Sequence, residues 1–284
     1  MKKILLTGSN GQVGWELQRS LAPLGAVIAL DRAALEMGDA DAIRAAIRAA
    51  KPDIIVNAAA YTAVDQAESD VELALRINGL APGLMAEEAK LLGALMVHYS
   101  TDYVFDGSKN TPYSEVDVPN PLNAYGRTKL AGESAIQSVG GRFLIFRTSW
   151  VYGLRGRNFL RTILRLAEEQ KHLRIVKDQL GAPTWCRMIA EATAQAIARP
   201  DSPEGVFHLA CAGSVSWHGF AAAILELTQS QRTCQPELTA IPSSEYPQQA
   251  VRPHYSTLAC DRFAEAAGLR LPNWMDALKL CMAH

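Results

Sequence analysis

The stretch from Lys3 to Leu21, KILLTGSNGQVGWELQRSL, decides the fold class of this chain. It opens with a short apolar run, which is typical of a strand buried on both faces of a parallel sheet. Glycines then stand at 8, 11 and 14, and the apolar spacing that follows predicts a helix. Glycine permits a tight turn and lets backbone N–H groups approach a diphosphate at the positive end of a helix. The stretch therefore predicts a dinucleotide-binding βα unit, with Gly8, Gly11 and Gly14 in the phosphate-binding turn; the alternative is a purely structural glycine turn.

A second apolar run, 27–30, ends at Asp31 and Arg32, about 20 residues after the glycines, where dinucleotide-binding folds place an acidic residue. Asp31 is expected to bind the adenosine ribose, while Arg32 suits a 2′-phosphate. The pair predicts tolerance of both NADH and NADPH. The alternative is that Asp31 only caps the next element.

Further apolar runs alternate with helical patterns along the first half of the chain. The predicted strands are 35–37, 54–60, 93–101 and 142–147. The predicted helices cover 42–51, 68–92 and the segment after Asn123, which is expected to be its N-cap. This alternation predicts an α/β fold with a doubly wound parallel, Rossmann-type sheet. We expect residues 1–150 to form an NAD(P)-binding domain and 151–284 to form mainly a smaller α/β substrate-binding lobe, with a strand near 205–210 able to rejoin the first sheet.

Composition narrows the function classes. The 284 residues are 49% apolar and 20% charged, with a formal charge of −1, which argues against nucleic acid or a membrane surface as a partner. No apolar run approaches the roughly 20 residues of a membrane span, and the opening apolar run is too short for an export signal. The scattered cysteines predict reduced thiols in a cytoplasmic protein, neither a disulfide framework nor a metal site: Cys186, Cys211, Cys234, Cys260 and Cys281.

The stretch from Ser100 to Lys129 carries the candidate chemistry. Thr101 follows an apolar run, and Tyr125 stands four residues before Lys129, so both side chains share one helical face. A nearby ammonium favours the phenolate, which predicts a lowered pKa for Tyr125 and a usable general acid. The alternative is an ordinary helical turn with a snorkelling lysine. His98, inside the apolar run, is interpreted as a packed core residue.

These blocks together resemble the extended short-chain dehydrogenase/reductase superfamily and, within it, the dTDP-4-dehydrorhamnose reductase family. The resemblance covers nearly the whole chain. It is carried by the glycine loop and by the blocks NAAAYTAVD at 57–65, HYSTDYVFDG at 98–107, PLNAYGRTKLAGE at 121–133, RTSWVY at 147–152 and DQLGAPT at 178–184.

The resemblance implies NAD(P)H-dependent reduction of the C4 keto group of dTDP-4-dehydro-6-deoxy-L-mannose to dTDP-L-rhamnose. Tyr125 would donate the proton, Lys129 would lower its pKa and hold the nicotinamide ribose, and Thr101 would hydrogen-bond the reacting oxygen. Asp102 and Trp150 would contact the sugar nucleotide. Cofactor contacts are implied for Gly11, Gln12, Val13, Asp31, Asp39, Ala60, Tyr61 and Thr62.

Three expectations remain open at this point. Arg252 is a candidate diphosphate partner because of its fork geometry, with a surface arginine as the alternative. Some relatives bind Mg²⁺ at a dimer interface through carboxylates, but Arg187 stands after Pro183-Thr184 where an acidic ligand is expected, and the tail 274–284 offers only Asp276. We therefore expect neither that metal nor that particular dimer, although the resemblance allows a homodimer.

The alternative functions are reduction or epimerisation of another nucleotide sugar, and a non-catalytic dinucleotide-binding regulatory subunit.

Overall fold

A computed structural model of the chain describes residues 1–232 and 235–283. Cys234, one of the predicted thiols, and His284, the last residue of the tail, lie outside the described residues, as does Thr233. The strands are β1 Lys2–Thr7, β2 Gly25–Leu30, β3 Ile54–Asn57, β4 Leu95–Thr101, β5 Phe143–Thr148, β6 Val151–Tyr152, β7 His172–Val176, β8 Leu180–Gly181, β9 Thr184–Trp185, β10 Gly205–His208, β11 Val215–Ser216 and β12 Glu237–Ile241. The α-helices are α1 Gln12–Leu21, α2 Ala40–Ala50, α3 Val71–Leu75, α4 Ala81–Leu92, α5 Ala124–Val139, α6 Phe159–Glu169, α7 Cys186–Ala198, α8 Trp217–Leu227, α9 Asp261–Ala267 and α10 Trp274–Met282.

The central layer is a six-stranded parallel sheet in the order β2-β1-β3-β4-β5-β10. Helices α1 and α7 pack together on one face, and α2, α4 and α5 cover the other. Two apolar cores result, one on each face, because strands buried on both sides present apolar side chains alternately up and down. The predicted doubly wound α/β fold is confirmed.

The predicted third strand at 35–37 is wrong. The segment forms turns, because Asp31 Oδ1 accepts hydrogen bonds from the backbone N–H groups of Ala33 and Ala34 at 3.0 Å each. Leu35 and Met37 are nevertheless buried beneath α2. Their apolar pattern therefore comes from packing against the core, without the ladder hydrogen bonds of a strand.

Polar residues collect where the parallel strands end. Thr7 and Asn57 are register partners at the ends of β1 and β3, and Thr101 pairs with Thr148 at the ends of β4 and β5. The chain reverses direction across the sheet between β1 and β3, and open α/β sheets bind ligands at the carboxyl edge beside such a switch point. The fold therefore places the glycine loop and Thr101 on the same edge.

The rest of the second half builds a separate layer over that edge. Helices α6, α8 and α10 share a third apolar core, beside short strand pairs β7–β12, β8–β11 and β6–β9. Residues 205–208 leave this layer and pair with β5 as the last strand of the main sheet. None of the helices in the described ranges is long and apolar enough to cross a membrane.

Candidate active site

The glycine loop is shaped by close backbone contacts. Gly8 has φ +68°, and a Cβ atom there would lie 2.6 Å from the backbone nitrogen of Ala59 after β3. A Cβ on Gly14 would lie 2.1 Å from the carbonyl oxygen of Gly8. Gly11 is the N-cap of α1 and provides no side-chain cap, so the first-turn N–H groups, including those of Gln12 and Val13, are available to an anion. This cradle fits the diphosphate of a dinucleotide.

The acidic residues expected along the adenosine half lie near this loop and also have structural partners. Asp31 follows β2, and its Oδ2 accepts a hydrogen bond from Asn10 Nδ2 at 2.7 Å, while its Oδ1 caps the turn at residues 33 and 34. Asp39 is the N-cap of α2. The side chain of Arg32 is 80% exposed and pairs with Glu36 at 3.0 Å. Asp31 therefore caps the turn that follows it, as the alternative interpretation expected. Its contact with the ribose stays a prediction.

The loop after β3 is held by hydrogen bonds from a helical turn later in the chain. A π-helical turn, Arg76–Leu80, separates α3 from α4, and its Asn78 side chain accepts from the Tyr61 N–H at 2.9 Å and donates to the Tyr61 carbonyl at 3.0 Å. The Tyr61 hydroxyl donates to Asp70 at 2.8 Å. These bonds hold Ala60, Tyr61 and Thr62 at the carboxyl edge of the sheet. π-turns within helices are frequent at functional sites.

Helix α5 begins beside Thr101 and brings Tyr125 to the same edge. Asn123 Oδ1 accepts from the Gly126 N–H at 2.8 Å, which is the predicted N-cap. Gly126 lets the helix approach closely, because a Cβ there would lie 2.2 Å from the carbonyl oxygen of Tyr103. The rings of Tyr103 and Tyr125 meet edge to face with centroids 6.0 Å apart. The structure thus brings the Thr101 hydroxyl to Tyr125, with which it hydrogen-bonds, and places Lys129 one turn further along α5; Thr101 and Lys129 are both buried.

The lowered pKa expected for Tyr125 is not what this structure shows. Burial raises the pKa of Tyr125 to about 12, against a lowering by the hydrogen bond with Thr101, and the charge of Asp102 raises it further. The phenol is therefore fully protonated near neutral pH. That state suits a proton donor, and it means that reduction does not depend on a phenolate in the starting enzyme.

Lys129 has partners that the sequence did not indicate. Its Nζ donates to the carbonyl oxygen of Tyr99 at 2.5 Å and lies 3.2 Å from Nε2 of His98. Burial lowers the pKa of Lys129 to about 8, and the charge of Glu133 acts in the opposite direction. His98 is buried in the core as predicted, but it also contacts the candidate catalytic lysine.

Asp102 lies behind Thr101 rather than in an open ligand-binding position. Its Oδ1 accepts from the Thr101 hydroxyl at 3.1 Å, its Oδ2 accepts from the Ser149 hydroxyl at 3.0 Å, and Ser256 also hydrogen-bonds its carboxylate. Burial raises the pKa of Asp102 to about 6, against the lowering by these hydroxyl groups. In this structure the Asp102 carboxylate orients the Thr101 hydroxyl, and the expected sugar contact of Asp102 stays a prediction.

Trp150 is half-buried at the end of β5, with an unusual φ of +45° for a residue with a side chain. Its indole stacks on that of Trp217, with centroids 3.4 Å apart and planes 3° apart. The left-handed backbone costs energy, and such strain is frequent at ligand sites. Trp217 belongs to α8, so this stack joins the main sheet to the second-half layer.

A cleft of about 190 Å³ opens beside this stack. Its lining is aromatic and aliphatic with two amides and two guanidinium groups: Phe159, Arg174, Ile175, Val176, Gln179, Trp217, Tyr246, Gln248 and Arg252. Arg252 is not the surface arginine of the alternative prediction, since its side chain is only 17% exposed. It donates to both oxygens of Asp65, at 3.0 and 2.7 Å, and it hydrogen-bonds Tyr103. Arg252 therefore links the cleft to the Tyr103–Tyr125 pair, and its diphosphate contact stays a prediction.

Arg187, which stands where an acidic metal ligand was expected, forms an ion pair. Arg187 Nε lies 3.3 Å from Glu16 Oε2, which joins α7 to α1. Within residues 1–232 and 235–283, no group of three or more His, Cys, Asp or Glu side chains is placed to hold a metal ion.

The sequence did not indicate the residues that hold the candidate site side chains in place by hydrogen bonds or stacking. Asn78, Ser256 and Trp217 stand in none of the quoted sequence blocks. Asn57 and Ser149 do, but their side-chain partners Thr7 and Asp102 lie far away in the chain. Of these, only Asn57 gave a signal, as a polar residue at the end of a buried strand.

Comparison with known proteins is consistent with this geometry. The family model described as RmlD substrate binding domain matches residues 1–284. A dTDP-4-dehydrorhamnose reductase of Burkholderia thailandensis is 50% identical over 99% of this chain and 98% of its own length. One of Escherichia coli K12 is 45% identical over 97% and 95%. A crystal structure of dTDP-4-dehydrorhamnose reductase from Bacillus anthracis in complex with NADP superposes with a TM-score of 0.93 at 32% identity, over 99% of both chains. The chain therefore belongs to the RmlD family of dTDP-4-dehydrorhamnose reductases, within the extended short-chain dehydrogenase/reductase fold.

Proposed function

We propose that this protein reduces the C4 keto group of dTDP-4-dehydro-6-deoxy-L-mannose, also called dTDP-4-dehydro-L-rhamnose, with NAD(P)H to give dTDP-L-rhamnose, the final step of dTDP-L-rhamnose biosynthesis. The observation that carries this is the meeting of a protonated phenol, Tyr125, with the Thr101 hydroxyl on the same sheet edge as the glycine loop. The full-length similarity to reductases of that name supports it.

The residues of this chain divide the chemistry between binding and proton transfer. Bound reduced nicotinamide supplies the hydride. The N–H groups at the start of α1 hold the diphosphate, and Gly8 and Gly14 allow its close approach. Tyr125 donates its phenolic proton to the oxygen that gains negative charge, and Thr101 hydrogen-bonds at the same place when its single hydroxyl proton turns from Asp102 to that oxygen.

The cleft beside Trp217 is suited to the nucleotide part of the substrate. Flat aromatic walls fit a pyrimidine base, the amides of Gln179 and Gln248 offer donors and acceptors, and the guanidinium groups favour diphosphate charge. Trp150, stacked at the mouth of this lobe, lies between the cleft and the strand ends. We assign the sugar to the space between Trp150 and Tyr125.

Further parts of the proposal follow the same division. Residues 1–150 form the dinucleotide-binding half and 151–284 mainly the substrate-binding lobe, apart from α7, which packs with α1 on the main sheet, and β10, which joins that sheet. The protein works in the cytoplasm, accepts NADPH or NADH, binds its dTDP-sugar as a small-molecule partner, and supplies polysaccharide biosynthesis. A homodimer is the assembly that the family resemblance allows, and light scattering after gel filtration measures it.

The decisive experiment follows loss of NADPH absorbance with dTDP-4-dehydro-6-deoxy-L-mannose, generated in situ because it is labile. The corresponding GDP sugar is the matched comparison. Rapid oxidation with the dTDP sugar alone supports the proposal. Oxidation with the GDP sugar instead would reassign the substrate, and NADPH binding without oxidation by any keto sugar would favour a regulatory dinucleotide-binding subunit.

A further inference from the structure

One irregular segment, residues 243–252, contributes three of the side chains that line the cleft: Tyr246, Gln248 and Arg252. It follows β12 and contains a single turn of 3₁₀ helix at its start. Within the described residues, the only backbone N–H groups of 247–252 that make a hydrogen bond are those of Gln249 and Ala250, and both bonds go to Asp65. The position of this cleft wall therefore depends on side-chain contacts.

Carboxylates hold the two ends of this segment to different parts of the molecule. At its start, Asp178 accepts from the Ser243 N–H at 2.9 Å and from the Ser243 hydroxyl at 3.0 Å. Asp178 lies between β7 and β8, in the second-half layer. At its end, Asp65 Oδ1 accepts from the Gln249 N–H at 3.2 Å and from the Ala250 N–H at 3.0 Å. Asp65 lies in the loop after β3, so it joins the dinucleotide-binding half to a wall of the cleft.

The same Asp65 carboxylate orients Arg252. The guanidinium donates end-on, from Nη1 to Oδ1 at 3.0 Å and from Nη2 to Oδ2 at 2.7 Å. Arg252 is largely buried, and a buried guanidinium is costly unless a carboxylate faces it. The hydrogen bond from Arg252 in turn lowers the pKa of Asp65 against the effect of burial, so Asp65 is ionised at neutral pH.

Arg252, held in this way, orients the next side chain of the wall. A second N–H on its Nη1 donates to Gln248 Oε1 at 2.7 Å. Because a guanidinium can only donate, the amide oxygen of Gln248 must face Arg252, and the NH₂ group is left to donate to an acceptor in the cleft. Asp65 and Gln248 together use three of the five N–H groups of Arg252, and two remain for Tyr103 and a ligand.

We propose that Asp65 is a positioning residue for the nucleotide part of the substrate: through Arg252 and the N–H groups of residues 249 and 250, it holds the wall of the cleft in the arrangement that binds. This inference rests on the proposed function, which assigns the nucleotide to the cleft. A wall that is ordered before the ligand arrives costs less conformational entropy on binding than one that must be ordered at that moment. Asp65 therefore sets the affinity for the sugar nucleotide and has no part in hydride or proton transfer.

Two substitutions separate the two kinds of contact that Asp65 makes. Asp65→Asn keeps an oxygen that can accept from the N–H groups of residues 249 and 250, but it removes the charge and places an NH₂ group against Arg252. Asp65→Ala removes all of these contacts. Amide hydrogen exchange of the intact protein, read by NMR, should be about tenfold faster or more at both N–H groups in Asp65→Ala than in the wild type, with a smaller change in Asp65→Asn. Unchanged exchange in Asp65→Ala would overturn the inference without any use of substrate.

Calorimetric titration with dTDP, which carries no keto group and is not reduced, measures the effect on binding. We expect Asp65→Asn to bind dTDP about tenfold more weakly than the wild type does, and Asp65→Ala more weakly still. The affinity for NADPH should stay unchanged in both variants. If both variants bound dTDP as well as the wild type, or lost as much affinity for NADPH as for dTDP, Asp65 would not be a positioning residue for the nucleotide.

Asp117→Asn is the matched control. Asp117 accepts from Lys109 Nζ at 2.7 Å and from the Ser114 N–H at 2.6 Å, and none of these residues lines the cleft. This variant should bind dTDP as the wild type does. Because Asp65 acts through Arg252, Asp65→Asn should cost little further affinity for dTDP in an Arg252→Gln background. Losses that simply add would contradict that route.

Turnover separates positioning from a general loss of stability. With the dTDP sugar, Asp65→Asn should raise KM about tenfold and change kcat by less than about threefold. A fall in kcat at an unchanged KM would refute the inference. A wild-type protein that neither binds dTDP nor reduces the dTDP sugar would overturn the proposed function together with the substrate role of Asp65. A wild-type protein that binds dTDP, beside an Asp65→Asn variant that binds it equally well, would overturn the inference alone.

Discussion

Replacing Asp102 by asparagine should stabilise the folded protein in a pH-dependent way. The carboxylate is fully buried, and burial raises its pKa from 3.8 to about 6 despite three hydroxyl partners. A carboxyl with a higher pKa in the folded state contributes stability below its unfolded pKa and loses it as the pH rises through the folded pKa. At pH 8 the ionised Asp102 therefore costs about 3 kcal/mol. Asp102→Asn keeps the shape and removes the charge.

Urea and thermal unfolding measured from about pH 4 to about pH 8 would test this expectation. At pH 8 the variant should unfold about 5 °C higher than the wild type, given the usual unfolding entropy per residue of a chain of this length. The difference should shrink as the pH falls below 6 and fall under about 1 kcal/mol near pH 4, where Asp102 of the wild type is protonated in the folded state and about half protonated in the unfolded state.

Asp178→Asn is the matched control, because it changes a carboxylate whose pKa is shifted in the opposite direction. Asp178 accepts from the Ser243 N–H at 2.9 Å, and hydrogen bonds from Ser243 lower its pKa against the effect of burial. That variant should lose stability at pH 8. We expect the buried charge of Asp102 to lower the free energy of unfolding and to be retained for its place beside Thr101. If Asp102→Asn and wild type were equally stable across the whole pH range, this argument would be refuted.

Three other substitutions test separate parts of the site. Tyr125→Phe should reduce turnover by about 100-fold or more while NADPH affinity, followed by fluorescence titration, stays the same; near-normal turnover would remove Tyr125 as proton donor. Arg32→Ala should weaken binding of NADPH more than NADH, and equal effects would mean that Arg32 does not bind the 2′-phosphate. Trp217→Ala should raise KM for the sugar nucleotide about tenfold, more than it changes kcat; an unchanged KM would separate the cleft from substrate binding.

Local sequence signals predicted the elements that depend on local physics. Gly8 has a positive φ, a Cβ on Gly14 would meet the Gly8 carbonyl oxygen, and Asn123 caps α5 through its own first turn. Both could be recognised because the residue type and the geometry are tied together at short range. The apolar runs likewise gave the main strands, since burial on both faces leaves a clear pattern.

The missed features depend on contacts between distant segments. Leu35 and Met37 have the apolar pattern of a strand, yet the turn fixed by Asp31 leaves them without a partner strand. The pKa of Tyr125 was misjudged because the nearest partners of Lys129 are Tyr99 and His98. Such pairings are decided by the packing of α5 on the sheet, which four-residue spacing does not specify.

Hydride transfer to the sugar is the central claim, and isotope transfer tests it most directly. The protein should be supplied with dTDP-4-dehydro-6-deoxy-L-mannose and with NADPH carrying deuterium on the transferred position of the nicotinamide C4. The product should be dTDP-L-rhamnose with deuterium at C4 of the sugar, as read by NMR. Product without deuterium at that carbon, or deuterium at any other sugar carbon, would contradict the account.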